Sequence, residues 1–101
     1  MEKYKAIGVV ETLYFTIALE LLDEMLKAAD VEFLHKESAL GGKLVTLFVG
    51  GTISAVTEAI KVVKEIGHQK RPEAFKNAIV ITNPHKEIMK YVVPKDASIT
   101  D

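Results

Sequence analysis

The segment KLVTLFV, residues 43–49, carries apolar side chains at both parities of a strand: Leu44, Val45, Leu47, Phe48 and Val49 fall on both faces. A strand written this way needs cover on both sides. Ala6-Ile7-Gly8-Val9-Val10, a short unbroken run rich in β-branched residues, makes the same demand. Both runs must be satisfied within 101 residues. That is enough chain for one domain burying about 65% of its unfolded surface, and not for two. Nearly half of the chain is hydrophobic and its mean hydropathy is +0.17. Self-association is therefore the first expectation.

Charge and cysteine content narrow the classes further. Thirteen basic against 14 acidic residues leave a net charge of −1, which gives no long-range field to draw in nucleic acid or a membrane surface. No cysteine is present, so disulfides, thiolate metal sites and cysteine nucleophiles are excluded. Met1 to Lys5 leads into an apolar run too short for a signal-peptide core. The longest apolar segment, Leu13 to Ala29, is interrupted by Glu20, Asp23, Glu24 and Lys27 and does not read as a membrane span. A soluble cytosolic protein is expected, with no cofactor and no metal.

The order of elements follows from periodicity. After a first strand over residues 6–10, Thr12 is expected to cap a helix running to Ala29, with Ala18, Leu21, Leu22, Met25, Ala28 and Ala29 as its single apolar stripe. Residues 31–36 read as a second strand and 43–49 as a third. The Gly41-Gly42 pair between them supplies the positive φ of a hairpin turn. Gly50-Gly51 ends the third strand. Thr52 or Ser54 caps a second helix with a core stripe of Val56, Ala59, Ile60, Val63 and Ile66, closed by Gly67 as a left-handed cap. Residues 78–82 form a fourth strand, Asn83-Pro84-His85 a turn, and residues 86–92 a short helix stopped by Pro94. The fold class is α+β: a ferredoxin-like split β-α-β, in the order β-α-β-β-α-β plus a short C-terminal helix. It has a four-stranded antiparallel sheet with two helices on one face. The other face is left for a partner chain or the terminal segments to cover.

These segments, in order, resemble the hexamer-forming shell proteins of bacterial microcompartments, the BMC-domain family. The carriers are Ala6 through Thr12, Asp23 through Val31, Gly42 through Val49, Gly51 through Val56, and Pro84-His85. The resemblance implies a single domain over residues 1–94 with a tail at 95–101. It implies a homo-hexamer that tiles with other shell proteins around encapsulated enzymes, and a central pore for small metabolites. By position, Ser38, Ala39, Leu40, Gly41, Gly42 and Lys43 are then the pore loop, and Lys27, Asn83, Pro84 and His85 the hexamer edge. The loop is about one residue longer than is usual there, and Asn83 stands where an arginine is common. Relatives that hold an iron–sulfur cluster do so through a pore cysteine that this chain lacks. Six copies of Lys43 around a narrow opening would favour anions, whereas six copies of Leu40 would make it apolar.

Three other classes compete. An enzyme needs an acid–base pair or nucleophile in a pocket; His35, His68 and His85 with Glu37 or Glu65 have no ligand-like spacing on one helix. An oligomeric small-molecule-sensing module could use the Gly41-Gly42 and Gly50-Gly51 pairs, though no phosphate-loop pattern is present. An RNA-recognition module would need aromatics on its central strands, where only Phe48 occurs.

Overall fold

The structure, a computed structural model, describes residues 4–83. Strand β1 (Ala6–Leu13) is followed by helix α1 (Phe15–Ala28) and strand β2 (Glu32–Ala39). A 3-10 turn over Leu40–Gly42 leads to strand β3 (Leu44–Gly51), helix α2 (Ile53–Lys70) and strand β4 (Phe75–Thr82). The four strands form one sheet in the order β2-β3-β1-β4, with every neighbouring pair antiparallel. This is the split β-α-β arrangement read from the sequence. The short helix expected at residues 86–92 lies outside the described residues, as do Pro84 and His85.

The two central strands pair along their whole length, from Ala6 opposite Gly51 to Leu13 opposite Leu44. On the helix side, Val10, Val45, Leu47, Val49 and Ala78 meet Ala18, Leu21 and Met25 of α1 and Val56, Ala59, Ile60 and Val63 of α2. The second face of β1 and β3 is also partly covered. Tyr4, Ile7 and Leu34 form a small buried cluster there, flanked by Val9, Phe48 and Ile81. A register shift between Phe33 and His35 puts Leu34 and His35 together on that outer face, as a β-bulge does. The apolar demand at both parities is thus met unequally: completely under the helices, partially outside.

Several local expectations are corrected. Thr12 does not cap α1. It lies within β1 and is buried, and its hydroxyl donates to the Ala74 carbonyl at 3.1 Å. The residue before α1 is Tyr14, in a left-handed conformation at φ 69°, and it makes no side-chain cap. Gly67 is no left-handed cap either. It is buried inside α2, which continues three residues further to Lys70. The ring of Phe75 occupies the space where a side chain at 67 would stand: an ideal Cβ there lies 2.5 Å from Phe75 Cγ. The glycine is present for close approach, not for chain reversal. Gly50 and Gly51 end β3 as its last two residues, and Ala28 is exposed rather than part of the core stripe. Thr52 caps α2 as expected, its Oγ1 accepting from the Ala55 N–H at 3.1 Å.

Beside the outer-face cluster, the Tyr4 hydroxyl donates to Glu32 Oε1 at 2.6 Å. Burial first, then the Glu32 carboxylate, pushes the phenol up to about 12. The folded chain therefore holds this proton more tightly than the unfolded chain, whose tyrosine titrates near 10. The resulting stability is complete below about pH 10 and is lost as pH rises toward about 12. Titration followed at the phenolate absorbance band should show one tyrosine ionising late. Glu32→Gln should move it back only part of the way, because burial is the larger cause. A late step unchanged by Glu32→Gln would rule out the carboxylate's share.

Candidate functional site

Strand geometry separates the candidate residues into two groups at opposite ends of the sheet. Leu13 opposite Leu44 and Ala39 opposite Leu44 mark one end, where β2 turns into β3. Ser38 and Ala39 are the last two residues of β2 rather than loop, so the turn itself is Leu40, Gly41, Gly42 and Lys43. Three consecutive residues are left-handed: Leu40 at φ 54°, Gly41 at 68° and Gly42 at 91°. Such angles suit glycine and strain leucine. The Lys43 N–H donates back to the Leu40 carbonyl at 3.3 Å, closing the turn. Leu40 is 72% exposed, and nothing lies within 4 Å of where a Cβ would stand at Gly41 or Gly42.

The turn is anchored from its other side. The Tyr14 N–H donates to the Lys43 carbonyl at 2.7 Å, joining the β1–α1 corner to the start of β3. Tyr14 has no counterpart among the residues singled out from the sequence. Its role comes from the left-handed corner, and no glycine or asparagine marks that position. Next to this anchor, Lys36 sets its ammonium 5.4 Å from the ring centroid of Phe15, a cation–π contact, and 3.4 Å from Ser38 Oγ.

At the opposite end, Ala6 pairs with Thr82 and the Asn83 N–H donates to the Lys5 carbonyl at 2.9 Å. Asn83 takes a left-handed φ of 52°. Helix α1 starts at the turn end and returns to this one, which puts Lys27 in its last turn. Lys27 is exposed and 2.9 Å from Asp23, whose carboxylate holds its ammonium above the usual lysine value. Back toward the turn end, where α2 finishes, Arg71 grips Glu20 with two parallel bonds of 3.0 and 3.1 Å, tying α2 to α1 and holding the Glu20 carboxyl below its usual range. An open cleft of about 240 Å³ lies between these groups, lined by Glu20, Asp23, Glu24, Ile66, Lys70 and Arg71.

Among the described residues, the two histidines do not converge. His35 is on the outer sheet face, 2.9 Å from Glu37 Oε2 and tilted against Phe48 at 5.7 Å. His68 is on α2 and meets Phe75 edge-on at 5.0 Å. No group of three or more metal-ligating side chains occurs among the described residues. No helix among them is long and apolar enough to cross a membrane.

The chain is thus a split β-α-β domain of the α+β class, with an exposed glycine turn at one end of its sheet and the charged end of α1 at the other. The family model of the BMC domain matches residues 6–84, and the chain belongs to that family of microcompartment shell proteins. It is 34% identical over 83 residues to the carboxysome shell protein CsoS1A of Hydrogenovibrio crunogenus, covering 82% of this chain and 84% of that one. It is 36% identical over 90 residues to the carboxysome shell protein CcmK1 of Synechocystis sp., covering 88% and 78%. Its fold superposes with a TM-score of 0.69 on the crystal structure of a microcompartment protein from Desulfitobacterium hafniense. That match has 22% identity and covers 84% of this chain, which spans 44% of the matched chain.

Proposed function

We propose that this chain is a non-catalytic shell subunit of a bacterial microcompartment in the cytoplasm. It closes into a homo-hexamer around its hairpin turn and tiles edge to edge with other shell proteins, next to encapsulated enzymes. Small metabolites cross at the centre, past Leu40, Gly41, Gly42 and Lys43, with Ser38 and Ala39 behind them. Lys27 and Asn83 are on the outer edge, together with Pro84 and His85. Residues 1–94 act as one shell domain and 95–101 as a tail. One observation carries the reading. In a member of this family, the turn and Lys27 with Asn83 occupy opposite ends of the same sheet, as a ring with an inner opening and an outer rim requires.

Absolute mass by light scattering tests the ring. Six chains of 11.1 kDa come to 66.6 kDa, and a mass near one, two or three chains overturns the hexamer. The rim is tested by Lys27→Ala, which removes an exposed side chain from the helix end and should cost the fold little. The expected variant keeps the six-chain mass and loses extended sheets under the electron microscope. Sheets as large as those of the wild type, or dissociation to single chains, would remove Lys27 from the edge.

A further inference from the structure

Of the turn residues Leu40, Gly41, Gly42 and Lys43, only the first and last carry side chains, and the fold holds these two differently. Lys43 is tied through both groups of its backbone. Its N–H donates to the Leu40 carbonyl at 3.3 Å, and its carbonyl accepts from the Tyr14 N–H at 2.7 Å, which draws it back to the β1–α1 corner. Leu40 belongs to neither buried cluster, and at 72% it is the most exposed large apolar side chain among the described residues. Its backbone is left-handed at φ 54°, which strains leucine. A single chain thus holds an apolar side chain in water on an unfavourable backbone. Strain of this kind concentrates at functional sites.

Repetition around an axis separates the two residues further. Ammonium groups brought together repel one another, and the long flexible stem of lysine lets each swing out to bulk water. Leucines brought together have no water-seeking end and gain by removing apolar surface from water. The charged groups of β2 behind the turn are already engaged. Lys36 sets its ammonium 5.4 Å from the Phe15 ring centroid and 3.4 Å from Ser38 Oγ, and Glu37 is 2.9 Å from His35 Nε2. Gly41 and Gly42 add no side chain between them.

We propose that the Leu40 side chains of successive copies meet as the narrowest part of the central opening, which passes small uncharged organic molecules and turns back ions. An ion entering a ring of methyl groups gives up hydration water and receives no polar partner in return. An uncharged molecule with an apolar body gives up far less and gains contact with the leucines. This selectivity rests on the proposed hexamer and states what its centre admits.

The test uses the full chain and has two arms. In rings assembled from a mixture of isotope-labelled and unlabelled copies, isotope-filtered NMR should show methyl contacts between Leu40 of one copy and Leu40 of another. The signal is assigned by its loss in Leu40→Ser, which changes an exposed side chain and should keep the six-chain mass. In the second arm, labelled acetone and labelled acetate, which share one heavy-atom shape and differ in charge, are timed across extended sheets laid on a porous support. Wild-type sheets should pass acetone faster than acetate by about tenfold or more, and Leu40→Ser should bring the ratio toward one. Six-chain rings without contacts between Leu40 methyls would overturn the constriction and leave the hexamer standing. Equal passage of the two solutes, or passage of neither, would overturn the selectivity. Faster passage of acetate that Lys43→Ala abolishes would give the constriction to the lysine instead. A wild type of one chain would remove the hexamer itself.

Discussion

Gly67→Ala should destabilise the protein by about 1–2 kcal/mol, although alanine is the better helix former. Helix propensity alone favours the substitution by about 1 kcal/mol in an exposed helix interior. Here the new methyl would lie 2.5, 2.7 and 2.9 Å from three atoms of the Phe75 ring. Overpacking of that kind costs about 1–3 kcal/mol, and the ring can retreat little because it is buried between α2 and the start of β4. Gly67→Val should therefore cost more still. Denaturant midpoints measure both. The cause is isolated in a double-mutant cycle: with Phe75→Leu in place, which thins the crowded ring, Gly67→Ala should cost less than it does alone. Wild-type stability for Gly67→Ala would mean that Phe75 does not pack as closely as 2.5 Å implies.

Leu21→Ala and Leu26→Ala should behave differently, though both remove the same atoms from one helix. Leu21 is fully buried against the sheet, and its truncation should cost about 2–5 kcal/mol through lost transfer free energy and the cavity left behind. The loss should be seen at every protein concentration. Leu26 is 44% exposed on the solvent side of the same helix, so its truncation should cost the single chain less than about 1 kcal/mol. Its effect should grow with protein concentration, because it weakens association rather than folding. Unfolding series at low and high concentration separate the two. Equal, concentration-independent losses would place both leucines in one core.

Where one physical cause acted on a segment, the sequence was readable. The β-branched runs at β1 and β3, the three- and four-residue spacing through α2, the Gly41-Gly42 turn and the Thr52 cap all depend on neighbours within a few positions. The misreadings arise where a distant residue decides. Thr12 is a good capping residue by type, yet the Ala74 carbonyl, 62 positions away, takes its hydroxyl into the core. Gly67 has the look of a helix end because glycine serves both chain reversal and close approach, and only the position of Phe75 tells them apart. The bulge at Leu34 shifts which residues of β2 face outward, and no local pattern announces it. At the turn end of the sheet, the Gly41-Gly42 reversal was legible, whereas the part played by Tyr14 was not. Its amide reaches Lys43 through a corner conformation that tyrosine seldom adopts.

The hairpin turn inverts the handedness rule that governs the rest of the chain. At Leu40, Gly41 and Gly42 the backbone takes a positive φ three times in succession, and Gly41 at φ 68° and ψ 27° is the mirror image of an ordinary helical residue. At such a site the chirality of a residue matters more than its size or polarity, since the space around Gly41 and Gly42 is open. A D-amino acid there would meet no steric penalty and would stiffen the turn, whereas its L-enantiomer would loosen it. Ribosomal synthesis offers only one achiral residue for that purpose, so side chains can be added to this turn only at a cost in its geometry.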